Sequence, residues 1–213
     1  MSKMMKKPVS SQFALPLAPD QSPSAARIVV GEGNASAIAA LSAPDSWPFR
    51  TAILSGPPRS GKSLLAAWFA ESGGVALDDA DTMDETAVFH RWNRAQEEKT
   101  PLLLTTTARE GGWKITLPDL GSRMGAALWL DIEAPDDEMM ADLIAAHAET
   151  RLLPLTDDHA RYLASRCERT HIAAERLVAT IDRLSLERKA PPGQAILRDA
   201  LEELNGPAEP RML

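Results

Sequence analysis

Residues 51–70 read Thr-Ala-Ile-Leu-Ser-Gly-Pro-Pro-Arg-Ser-Gly-Lys-Ser-Leu-Leu-Ala-Ala-Trp-Phe-Ala, and the remaining chain organises itself around them. The apolar run Thr51-Ala52-Ile53-Leu54 predicts a buried strand, and Ser63–Ala70 predicts a helix. Between them, Gly56–Ser63 matches the phosphate-loop pattern G-x-x-x-x-G-K-[ST] at every position, in the strand–loop–helix setting that gives the pattern meaning. Gly56 and Gly61 let the backbone curl so that successive N–H groups face inward, and Pro57, Pro58, Arg59 and Ser60 complete the loop. Lys62 brings a point charge to the outer phosphates, and the Ser63 hydroxyl is placed for Mg2+. The helix N-terminus, with Leu64 in its first turn, adds partial positive charge at the same spot. The expectation is a site for a nucleoside triphosphate or diphosphate.

The 213 residues suit a nucleotide-binding core with a small appendage, and 44% hydrophobic content supplies a core to bury. A net charge of -7 provides no global basic field to attract nucleic acid, so sequence-specific DNA binding is not expected. A single cysteine, Cys167, excludes a disulfide framework and fits a reducing cytoplasm. The basic stretch Met1–Pro8 is followed by no apolar segment of the secretory type, and no run approaches the roughly 18 apolar residues of a membrane span. The chain is expected to be cytoplasmic and away from membranes.

Residues 1–25 carry Pro8, Pro16, Pro19 and Pro23 among Ser, Gln and Lys and read as a flexible arm. Within it, Gln12-Phe13-Ala14-Leu15-Pro16-Leu17 sets a polar hook beside three large apolar side chains, and Pro16 pre-orders an extended segment suited to docking in a groove. From residue 26 to 133 strand and helix patterns alternate, which predicts a parallel α/β sheet. Ile28-Val29-Val30 leads into a helix expected to be capped by Asn34. Gly73-Gly74 closes the loop's helix, and Val75-Ala76-Leu77, Pro101–Thr107 and Leu128–Ile132 read as further strands. Only one helix fits between Lys62 and Asp78, so the sheet should lack one edge strand. Residues 134–213 are wholly helical in pattern, with helices expected over Asp136–Ala148, Asp157–Arg166, Ile172–Arg188 and Gln194–Leu204.

The second strand ends in Asp78-Asp79. Asp78 is placed to hold the magnesium, and Asp79 to polarise an attacking water; an acidic turn is the competing reading. The third strand ends in Thr105-Thr106-Thr107, where a hydroxyl, Thr107 included, could sense a terminal phosphate or orient water; a plain β-branched strand end is the competing reading. Arg123, just before the last strand, could reach a neighbouring subunit's nucleotide, and a plain surface arginine is the alternative. His90, His147, His159 and His171 read as solvated or capping positions.

Taken together, these pieces resemble the AAA+ superfamily, and within it the branch formed by the replication initiator DnaA and its small Hda paralogues. The resemblance spans nearly the whole chain. Arg27–Asn34 is similar to the stretch leading into the family's adenine pocket, which implies a role for Val30 there. Leu117–Met124 resembles the motif that carries the arginine finger, and Asp78-Asp79 the family's magnesium-binding strand end. The hexapeptide Gln12–Leu17 resembles the sliding-clamp motif Q-x-x-L-P-L, implying clamp contacts by Gln12, Phe13, Leu15, Pro16 and Leu17. No helix-turn-helix pattern follows the lid, which favours the Hda side. The lid departs from the family at Ile172, where an arginine is expected; Arg169 and Arg176 flank it. The resemblance implies ATP or ADP as the nucleotide and weak intrinsic hydrolysis, with the sliding clamp and DnaA as partners and a homodimer compatible with nucleotide sites near subunit boundaries. An autonomous ATPase such as a helicase loader is the competing reading. A small-molecule kinase is a third, although Asp136–Ala148 offers no acceptor site.

Overall fold

A computed structural model describes residues 28–206; the segment Gln12–Leu17 lies outside the described residues. Four parallel strands, β1 (Thr51–Ser55), β2 (Val75–Leu77), β3 (Leu102–Thr106) and β4 (Leu128–Asp131), form one sheet in the order β2-β3-β1-β4. β1 pairs with β3 from Thr51↔Leu102 to Ser55↔Thr106 and with β4 from Ala52↔Leu128 to Ser55↔Asp131. Both β1 and β3 are buried along their whole length, as befits central strands covered on both faces. The order leaves β2 at the edge, so among the described residues the sheet lacks the further edge strand, as the short spacing between Lys62 and Asp78 predicts.

Alternation along β1 sorts the two faces. Ala52 and Leu54 point to a cluster with Ile38, Leu65, Phe69 and Trp47, built by α1 (Glu32–Leu41) and α2 (Lys62–Glu71). Ile53 points the other way, to Val88, Ala95, Leu120 and Met124 of α3 (Glu85–Glu98) and α4 (Pro118–Gly125). α3 presents Val88, Phe89, Trp92 and Ala95 as one packed face, as its 3.6-residue period predicts. Its N-cap is Asp84, whose side chain accepts the Ala87 N–H at 2.9 Å.

Asn34 is not the N-cap of α1. The helix starts three residues earlier than that cap implies, at Glu32, with Gly31 as the cap. Asn34 sits at the third helical position, accepts the Gly31 N–H at 2.9 Å and donates to the Val29 carbonyl at 2.8 Å. Its amide thus folds the strand-like entry back on the helix, a task that its buried position demands. α2 closes at Gly73, whose φ of +96° supplies the left-handed residue that the sequence signalled. Gly74 then passes so close to the Phe69 ring that a Cβ would lie 2.2 Å from it.

Beyond β4 the chain is helical: α5 (Asp137–Thr150), α6 (Asp157–Ala164), α7 (His171–Arg188) and α8 (Gln194–Asn205). Met140, Ile144, Leu163, Leu177, Ile181 and Leu197 build a core of their own. Thr156 and Thr170 cap α6 and α7 through their hydroxyls, at 3.3 and 3.1 Å. Among the described residues, no helix is long and apolar enough to cross a membrane.

Candidate nucleotide site

The loop Gly56–Ser63 joins β1 to α2 and needs two left-handed residues to turn. Gly61 has φ +88° and caps α2, and Arg59 has φ +67°. Gly56 is pressed between the Ser60 hydroxyl and Ile132, so that a Cβ there would lie 2.9 Å from Ser60 Oγ. Lys62 is only 6% exposed, and its ammonium donates to the carbonyls of Gly56 at 2.9 Å and Pro57 at 3.0 Å. Burial pulls its pKa below the usual lysine value, opposed by the carboxylates of Asp79, Asp78 and Asp81. The cation is therefore held inside the loop with acidic groups facing it. Ser63 is the second residue of α2, exposed in the helix's first turn.

Thr105 ties the acidic strand end in place. Its hydroxyl donates to Asp78 Oδ1 at 2.6 Å and accepts the Asp79 N–H at 2.8 Å. Asp79 itself has φ +49°, a left-handed conformation in which the short polar side chain is tolerated. The structure thus brings Lys62, Asp78 and Asp79 together, and adds Thr105 as the residue that orients both aspartates. Thr106 turns away and accepts the Ala108 N–H at 2.9 Å. Thr107 is exposed, lies 3.4 Å from Asp81 Oδ2 and lines the adjacent cleft.

Two cavities meet at the loop. A wide cleft of about 1060 Å³ runs from Gly56, Pro57 and Pro58 past Thr107 and Asp131 to Thr170, His171, Ile172 and Arg176 of the helical segment. A narrower one of about 270 Å³ is walled by Ile28, Val29, Leu64, Met139 and Leu143, with Arg59, Ser60 and Gly61 at its loop end. Its apolar walls suit a planar base, and its loop end suits phosphate. Val30, expected at this pocket, instead packs into the cluster of α1 and α2, leaving Ile28, Val29 and Asn34 to line the cavity.

Arg59 bridges from the loop to α7, its Nε donating to Glu175 Oε2 at 2.6 Å and its Nη2 to Oε1. The hydrogen bond from Arg59 is also the main reason why the Glu175 carboxyl lies below its usual pKa. Arg169 is engaged with Asp137 at 2.8 Å, while Arg176 lines the wide cleft. Arg123 does not approach the loop of its own chain. Its guanidinium lies over the rings of Trp92, at 4.1 Å, and Phe89, at 4.5 Å, and donates to Asn93 Oδ1.

The histidines depart from the sequence reading at two positions. His147 is half-buried, and His171 is 4% exposed at the first turn of α7, where it lines both cavities. Burial pulls both imidazoles below the usual range, and for His171 the Lys62 charge adds to the effect.

No protein-family model matches the sequence, and no curated relative matches it. Solved structures do. Domain III of the Thermotoga maritima replication initiation protein DnaA superposes with a TM-score of 0.68 at 15% identity, covering 91% of this chain and 100% of that one. The chain has the AAA+ fold. A replication initiator DnaA bound to AMPPCP and single-stranded DNA matches at TM-score 0.59 and 18% identity, over 77% of this chain and 66% of that one. The Thermotoga maritima RuvB Holliday junction branch migration motor matches at TM-score 0.53 and 22% identity, over 73% and 62%.

A donor set fit for a nucleotide is present within this AAA+ frame. The loop offers backbone N–H groups at the head of α2, the buried Lys62 cation and the Ser60 hydroxyl, whose buried oxygen has no hydrogen-bond partner among the described residues. Ser63 and Asp78 supply oxygen ligands of the kind that Mg2+ prefers.

Proposed function

We propose that this chain is an Hda-like regulator of replication initiation that binds adenine nucleotide between the phosphate loop and the helical lid, residues 134–213. One observation carries the reading: the buried Lys62, the Thr105-oriented Asp78 and the apolar cavity of Ile28, Val29 and Met139 converge on one loop within a fold shared with DnaA domain III. Gly56–Ser63 would wrap the phosphates, with Leu64 beside the base. Mg2+, held by Ser63 and Asp78, would neutralise phosphate charge, and Asp79 with Thr107 would face the water side.

The regulatory part rests on two sequence elements. Gln12, Phe13, Leu15, Pro16 and Leu17 would engage the sliding clamp as an extended peptide. Arg123, which does not serve its own loop, would act in trans on ATP bound to DnaA. Its half-buried perch on Phe89 and Trp92 would hold the guanidinium at the molecular surface for that purpose. The protein would work in the cytoplasm, as a monomer or a homodimer.

ATP turnover by the purified chain, measured alone and then with sliding clamp and DnaA, tests the reading. We expect little turnover alone and a clamp-dependent rise once DnaA·ATP is added. Steady turnover by the isolated chain, without any effect of clamp or DnaA, would instead support an autonomous ATPase.

A further inference from the structure

The only histidine among the four that is fully buried raises a problem of hydrogen bonding. Both ring nitrogens of His171 lack a partner among the described residues, although one must carry a proton and the other a lone pair. A buried polar group normally finds a partner, and leaving two unmet is expensive. His171 also lines both cavities, sharing the narrow one with Met139 and Leu143 and the wide one with Thr107 and Asp131.

The surroundings favour an anion in that space. His171 opens the 18-residue helix α7, so the helix's positive end faces the same gap. Lys62, from the phosphate loop, lies close enough to depress the imidazole's proton affinity, and His147 of α5 adds to the effect. Ser60 Oγ is a further unpartnered polar atom lining the same narrow cavity. Of the other charges near the ring, Arg59 is paired with Glu175 one turn along α7 and Arg169 with Asp137, while Arg109, Arg176, Glu110, Asp131, Glu133 and Glu168 line the wide cleft.

We propose that the His171 imidazole is a direct ligand of the nucleotide's phosphate chain, closing the lid helix α7 onto the phosphates from the side opposite the loop. This inference rests on the nucleotide reading given above. It makes the lid a reader of the bound phosphates through a titratable group. An anion beside the ring stabilises imidazolium, so nucleotide binding takes up a proton at His171 and strengthens as pH falls through neutrality.

Titration of the purified full chain with ADP and with AMPPNP, between pH 6 and 8, tests the proposal. His171→Phe keeps a flat ring without hydrogen bonds, and Lys62→Ala reports on the loop itself. We expect His171→Phe to weaken binding about tenfold or more at pH 6.5 and to flatten the pH dependence seen in the wild type. The wild-type His171 ring signals in proton–carbon NMR, assigned by comparison with His147→Asn, should show a raised pKa on addition of ADP. If Lys62→Ala loses binding while His171→Phe binds like wild type, the inference falls and the nucleotide reading survives. If the wild type binds neither nucleotide, both fall. Should His171→Phe fail to fold, the wild-type ring signals decide: a pKa unmoved by saturating ADP overturns the proposal.

Discussion

At Lys62 two tendencies oppose one another. Burial disfavours the ammonium, while the carbonyls of Gly56 and Pro57 and three facing aspartates favour it. Lys62→Ala removes the desolvation cost together with the bonds that offset it, so stability in urea should change by less than about 1 kcal/mol. Two lost charge-assisted bonds to phosphate should lower nucleotide affinity about 100-fold or more, and a fluorescent ADP titration would show it. Equal affinity would remove the loop from the site. Thr105 makes a second prediction at this scale. Thr105→Val keeps the shape but strands the Asp79 N–H and frees Asp78, costing about 1–2 kcal/mol in urea unfolding and blunting the Mg2+ dependence of ADP affinity. A variant with unchanged Mg2+ dependence would show that Asp78 needs no orienting. The loop pattern marks Lys62 and Ser63 as candidates from sequence, and the apolar strand that ends at Asp78 marks a third, because backbone geometry limits which residue types can stand there. It could not name Thr105 over Thr106 or Thr107, since only strand register decides which hydroxyl faces β2.

Among the elements, β1, β2, β3 and the lid helices are legible because each carries its hydrophobic period in a single run. α4 is not. Pro118–Gly125 holds two glycines in eight residues, which local propensity counts against a helix. Packing overrides that preference: Leu120 and Met124 are buried against α3, and Glu85 accepts the N–H groups of Thr116 and Leu117 at 2.9 and 2.7 Å just ahead of the helix. His171 departs from its sequence reading for a related reason: a polar residue at a helix start reads as solvated unless the facing loop is known. The lid's independent core yields a prediction of its own. Leu177→Ala should cost about 2–5 kcal/mol in chemical unfolding, with hydrogen exchange rising more in α5, α7 and α8 than in β1 and β3. Uniform acceleration throughout would show that core and lid unfold as one unit.

Across the whole molecule, the helical segment and the α/β layer meet through Arg59–Glu175 and around His147 and His171. Both imidazoles hold their protons less tightly in the fold than in the unfolded chain, chiefly through burial. The unfolded state therefore takes up protons first as pH falls below about 6.5, so the stability that these residues support is present above that pH and lost beneath it. Thermal melts of the nucleotide-free protein should shift downward between pH 7 and 5.5. A His147→Asn/His171→Asn variant should show a shallower shift, and an equal slope would place the acid sensitivity elsewhere. On the proposed reading, nucleotide in this loop would steady a molecule whose Arg123 would serve another chain's ATP. The most direct test is hydrolysis of DnaA-bound ATP in the presence of sliding clamp, with wild type against Arg123→Ala. We expect the variant to lose at least about 10³-fold of the stimulation while retaining ADP and clamp binding; full stimulation by Arg123→Ala would contradict the account.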